Sequence, residues 1–208
     1  MKRRRKERVV MCQKLKEING LRPQFILDTY YQSSSIPINM KAILKSMKIS
    51  CFPSNFSELE TNLHIKHRSI LGMAASKGDN LIIIYSNHLD DVTANYVLAH
   101  ELGHCCLHLP VTSEFHVELK TENDIYSYPT WLRLKFDVYS GRDSDPKEQE
   151  ADAFAAHLLL PDQNFQHYIS QKPRPNRQQL SKIFYVPSRL IDIKAQNSHI
   201  RANEGGKF

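Results

Sequence analysis

Two histidines four residues apart, with a glutamate directly after the first, occur in the stretch His100-Glu101-Leu102-Gly103-His104 of this 208-residue chain. On an α-helix, positions i and i+4 share one face, about 6 Å apart along the axis at roughly 1.5 Å per residue. Two imidazoles at that offset can share one tetrahedral Zn²⁺, with Zn–N bonds of about 2.0–2.1 Å. Glu101 then stands where its carboxylate can reach a water on the metal without ligating it, the arrangement of metal-assisted hydrolysis. H-E-x-x-H alone also describes a helix with two surface histidines, so the chemistry requires a third ligand.

The stretch KEQEADAFAAHLLLP, residues 147–161, offers one. Asp145 can cap a helix here, Pro146 fits its first turn and Pro161 ends it. Glu148, Ala151, Asp152, Ala155 and Leu159 share one helical face. Glu148 can bind zinc while Asp152, one turn on, accepts a hydrogen bond from the far nitrogen of a ligand histidine. The alanines let this helix approach the HELGH helix. Glu150, on the face of Ala153, Phe154, His157 and Leu158, is the rival, and Glu148 could instead serve only as a capping-box residue. The ligand-plus-partner argument favours Glu148.

The elements around these residues follow from periodicity and punctuation. Met11, Leu15 and Ile18 form a short helical stripe ended by Gly20. Pro23 opens a second helix carrying Phe25, Ile26, Tyr30 and Tyr31. Asn39 can cap a third with Met40, Ile43, Leu44 and Met47, and these aromatics and methionines are expected in the core. From about residue 49 to 85 the pattern turns to strands, the clearest being Leu81 to Tyr85 after the turn signal Gly78-Asp79-Asn80. Asp90 or Asp91 caps the helix that runs through HELGH to Leu109, closed by Pro110. Residues 111–145 form a long connection with two alternating pieces, 115–119 and 132–138, read as a hairpin or flap. Asn176 can cap a helix with Leu180, Ile183 and Phe184, and Arg189 to Ala195 can form another after a turn at Val186-Pro187-Ser188.

The apolar share of 41% and charged share of 24% suit a globular protein with a real core. The net charge of +6 sits at the ends: six Lys/Arg lie in residues 1–8 and eight in 172–208, while the body between them is mildly acidic. Cys12, Cys51, Cys105 and Cys106 make no disulfide framework, which fits a reducing compartment. Cys105 and Cys106 point away from the His100/His104 line and are expected to be buried helix residues. The apolar run after MKRRRKER is too short for a signal sequence, and no stretch approaches 18 apolar residues, so a cytoplasmic chain without membrane contact is expected.

HELGHCCLH followed by EQEADAFAAHLLLP resembles the ImmA/IrrE family of zinc metallopeptidases, and the likeness extends over residues 25–195. The resemblance implies an α+β, zincin-like metallopeptidase domain with a small sheet packed on the H-E-x-x-H helix and helical N- and C-terminal segments. It implies two histidines and one glutamate on zinc, with a glutamate as general base; these roles fall on His100, His104, Glu101 and an acid of the EQEAD stretch. Glu148-x-x-x-Asp152 also looks like the E-x-x-x-D of other gluzincins. The expected division is a basic tail and short helix over 1–20, the metallopeptidase domain over 21–170 and a basic helical segment over 171–208. Members of the family commonly cleave a helix-turn-helix repressor encoded beside them.

Two functions stand at this point. The first is a zinc endopeptidase acting on a specific protein. The second is a non-catalytic zinc-binding regulator working through protein or DNA binding. The placement of Glu101 beside His100 favours the first, because a structural zinc site needs no base there. The C-terminal helix-turn-helix shape and positive charge admit DNA contact, but such a unit needs a third supporting helix, so partner docking is the stronger expectation. His108 is read as structural, and the oxyanion donor is left open among the other histidines, Tyr96 and Tyr139.

Overall fold

The computed structural model describes residues 17–31, 33, 35–62, 67–68, 70–77, 80–108, 132–134 and 146–197. Its strands are β1 (Ser50–Ser54), β2 (Ile70–Lys77), β3 (Asn80–Ser86) and β4 (Leu132–Leu134). They form one sheet in the order β1-β3-β2-β4. β1 runs parallel to β3, and β2 pairs antiparallel with both β3 and β4. The β2–β4 register shifts between Ile70 and Gly72, where an irregularity interrupts the ladder.

The helices are α1 (Pro23–Tyr30), α2 (Met40–Ser46), α3 (Ser57–Asn62), α4 (Asp91–Leu107), α5 (Pro146–Leu159), α6 (Asp162–Ile169), α7 (Arg177–Phe184) and α8 (Ser188–Asn197). α4 is the centre of the molecule. Asp90 starts it, its Oδ1 accepting from the Thr93 N–H at 2.7 Å. Most of its length from Ala94 to Cys106 is buried, because the sheet covers one side and α5 and α2 cover others. Leu98, Ala99, Leu102, Cys105 and Cys106 thus belong to one apolar core with Ile43, Ile83, Leu158, Leu180 and Ile191. That cluster includes residues of α7 and α8, which pack back toward the same centre.

Gly103 sets how closely α5 can approach α4. A Cβ there would stand 3.2 Å from the Ala151 Cα, the Ala151 carbonyl oxygen and the Phe154 Cβ. The small residue that matters is therefore on α4 as well as on α5. Gly20 takes φ +77°, a conformation that glycine adopts at little cost. Its N–H donates to the Cys106 carbonyl at 2.7 Å, tying the N-terminal segment to the end of α4.

Several elements differ from expectation. In α1 it is Ile26 and Leu27 that are buried, while Phe25 is 51% exposed, so the buried face is turned by one position. α4 ends at Leu107 with His108 as its cap. Pro161 both follows α5 and serves as the N-cap of α6, a helix the sequence reading did not separate. α3 interrupts the stretch read as strands. Its Glu60 is buried and accepts from the backbone N–H groups of Arg68 and Ile70, fixing the entry to β2. Met11, Leu15, Cys12, Asp145, the 115–119 piece and residues 135–138 lie outside the described residues. Among the described residues no helix is long and apolar enough to cross a membrane.

Candidate metal centre

α4 and α5 bring three side chains to one point. The Nε2 atoms of His100 and His104 stand 2.9 Å apart. Glu148 turns one oxygen to each, Oε2 to His100 at 3.2 Å and Oε1 to His104 at 3.1 Å. All three residues are buried, and their donor atoms lie within 4.8 Å of one another, a group able to hold a metal ion. Donors around a tetrahedral zinc with bonds of about 2.0–2.1 Å stand roughly 3.3 Å apart, so the spacing fits such an ion.

The opposite nitrogens explain why both rings present Nε2. His100 Nδ1 meets Asp152 Oδ1 at 2.7 Å. His104 Nδ1 meets His108 Nδ1 at 2.9 Å, and His108 Nε2 reaches Glu150 Oε2 at 2.9 Å. Each ring thus has a partner on the side away from Glu148, which orients it and leaves Nε2 for the shared point. With the Nδ1 protons donated outward, His108 carries its own proton on Nε2 toward Glu150. Glu150, the rival acid, has a side chain 61% exposed and lies beyond His108.

The protonation states suit ligation. Burial holds His104 down to about 4, so its imidazole is neutral at ordinary pH. Burial would raise Glu148, but in the metal-free chain the two imidazoles that face it outweigh burial and hold the carboxyl below its ordinary range. Cys105 and Cys106, both buried, have their thiols pushed up by burial, Cys106 to about 12, and so remain protonated.

Glu101 is fully buried one position past His100. It packs against β2 where that strand carries Gly72: a Cβ at that position would stand 2.9 Å from Glu101 Oε1 and 2.5 Å from Val97 Cγ1. The glycine lets the sheet lie directly on the carboxylate. Tyr96, considered above as an oxyanion donor, is buried with its hydroxyl donating to Asp152 Oδ1 at 2.5 Å. It therefore belongs to the support of His100. Tyr139 and His116 lie outside the described residues. Arg189, on α8, joins the same group: its Nη2 approaches Asp152 Oδ2 at 3.3 Å. Gly72 and Tyr96 had local signals, a glycine within a strand pattern and a tyrosine four residues before His100; Arg189 had none.

The model of the Peptidase_M78 family, the IrrE N-terminal-like domain, matches residues 59–195. The chain belongs to this family. The peptidase family membership accords with the α+β architecture, a zincin-like domain whose small sheet packs on the helix carrying HELGH. Among curated proteins, an uncharacterized immunity region protein 2 of Bacillus phage phi105 is 30% identical over 115 residues. The match covers 52% of this M78 member and 60% of the phage protein. No solved structure matches the chain.

Proposed function

We propose that this M78 member is a zinc-dependent endopeptidase that cleaves one specific protein, a helix-turn-helix transcriptional repressor. The observation that carries the reading is the convergence of His100 Nε2, His104 Nε2 and the Glu148 carboxylate beside the buried Glu101. Two neutral imidazoles and one carboxylate make a donor set of N, N and O, which suits zinc and leaves a position for water and substrate. When bound there, zinc supplies Lewis-acid polarisation of the scissile carbonyl and lowers the pKa of its water toward about 7. Glu101 takes the proton from the attacking water and later delivers it to the leaving amine. Asp152 and His108 hold the two imidazoles in the tautomer and orientation that ligation needs.

Similarity to a phage immunity region protein and membership of the M78 family both support a repressor as substrate. Against DNA reading by the C-terminal helices stands the pairing of three of their four cations: Arg177 with Asp192, Arg189 with Asp152 and Lys194 with Asp162. Residues 188–195 are buried or half-buried, which leaves that stretch of α8 no exposed basic face for a groove.

The test is to incubate wild type and Glu101→Gln with the products of neighbouring genes and map fragments by mass spectrometry. The amide is nearly isosteric but cannot take a proton, so cleavage at one or a few sites should vanish while metal and fold remain. Equal digestion of casein and of every neighbouring product would contradict a dedicated substrate. Zinc-dependent DNA binding with no cleavage would favour the regulator reading instead.

A further inference from the structure

We propose that Arg189, on the C-terminal helix α8, is a positioning residue of the metal centre. The inference rests on the zinc reading above and adds a residue far outside the H-E-x-x-H and E-x-x-x-D stretches. Asp152 is buried, and its two oxygens have different partners. Oδ1 meets His100 Nδ1 at 2.7 Å and takes the Tyr96 hydroxyl at 2.5 Å; Oδ2 faces Arg189 Nη2 at 3.3 Å. A carboxylate can exchange its oxygens by turning about its terminal torsion, which is soft. A guanidinium on Oδ2 opposes that turn, because the rotated carboxylate would have to satisfy cation, hydroxyl and imidazole again in the new setting.

Charge points the same way. Glu101, Glu148 and Asp152 are three buried carboxylates around two histidines that must be neutral to ligate. A divalent ion offsets two of those charges. Arg189 brings a permanent cation to the third, with its side chain only 28% exposed. The arginine is itself anchored: Leu190 and Ile191 beside it are buried in the core, and Arg177 bridges from α7 to the Ser188 carbonyl at 3.1 Å and to Asp192 at 2.6 Å. The path from α8 to the metal is then Arg189, Asp152, His100.

The experiment uses the full chain as wild type, Arg189→Ala, Arg189→Lys, Arg177→Ala and His100→Ala. Zinc affinity is read by competition with a chromophoric chelator, ligand geometry by the visible spectrum of the cobalt-substituted protein, and fold by melting of the metal-free chain. Arg189→Ala should weaken zinc about 10–100-fold, as loss of a group orienting a ligand does, and shift the cobbalt bands. Arg177→Ala loosens the hairpin without touching Asp152 and should keep near wild-type affinity. Arg189→Lys keeps the charge but loses the planar fork, so it should fall between wild type and alanine. It also keeps the test readable if the alanine variant does not fold, since a lysine variant identical to wild type would then overturn the proposal. Wild-type affinity and spectrum in Arg189→Ala, with metal lost in His100→Ala, would overturn it while leaving the zinc site standing. Equal losses in Arg177→Ala and Arg189→Ala would overturn it by assigning the effect to hairpin stability. A wild-type chain that binds no zinc would remove both readings.

Discussion

Each imidazole of the HELGH pair has one nitrogen engaged by a neighbour and the other turned toward Glu148. At this scale the two acids of α5 separate cleanly. Glu148→Ala removes a carboxylate that faces both Nε2 atoms and should cost zinc affinity heavily. Glu150→Ala removes only an exposed partner of His108 and should cost far less. Asp152→Asn should fall between them, at about 10–100-fold, because an amide can still occupy the space but disturbs the tautomer of His100. Chelator competition on the three variants checks the order, and a larger loss in Glu150→Ala than in Glu148→Ala would move the ligand. The pairs His100/His104 and Glu148/Asp152 were legible in the chain because each lies on one face of its own helix at 3.6-residue periodicity, whereas the meeting of the two helices was expected only from the need for a third ligand and the family likeness. Gly72 against Glu101 and Arg189 against Asp152 were not, because those contacts arise only when a strand or a distant helix is docked.

Among the described helices the most extensive contact is between α4 and α5, and Gly103 lies in it with the backbone of Ala151 close by. Alanine at this position would gain about 1 kcal/mol of helix propensity but meet backbone at 3.2 Å, so its two effects oppose. Leucine cannot be accommodated without moving α5. Gly103→Leu should therefore destabilise the fold by about 1–3 kcal/mol and weaken zinc together with it, since Glu148 rides on the displaced helix. Denaturant midpoints and metal titration check both; an unchanged affinity would show that Glu148 is not positioned through this contact. Helix starts were readable, as at Asn39 and Asn176, each of which accepts from a backbone N–H of its first turn. α6 was not, because a proline that stops one helix was not also read as the start of the next. Phe25 misled because adjacent apolar residues on α1 leave the buried face undecided until a partner helix is in place.

For the whole molecule, acid should be the destabilising direction. Folded His104 titrates near 4 against an ordinary 6.5, so between those values the unfolded chain takes up a proton that the folded chain refuses. Stability of the metal-free protein then falls as pH drops through that window, by on the order of 3 kcal/mol from this group. Glu148, also held below its ordinary 4.5, adds a loss of the same sign at lower pH. Melting temperatures of the chelator-treated chain at several pH values between 7 and 4 check this; a flat profile would contradict a buried neutral histidine. Zinc should leave over the same window, as protons compete for the same atoms.

Whether one zinc is held between α4 and α5 by His100, His104 and Glu148 is decided by elemental analysis. Purified wild-type protein should carry about one zinc per chain, and His100→Ala and His104→Ala should each lose it. Full zinc content in both histidine variants would mean that the metal is not held by this pair.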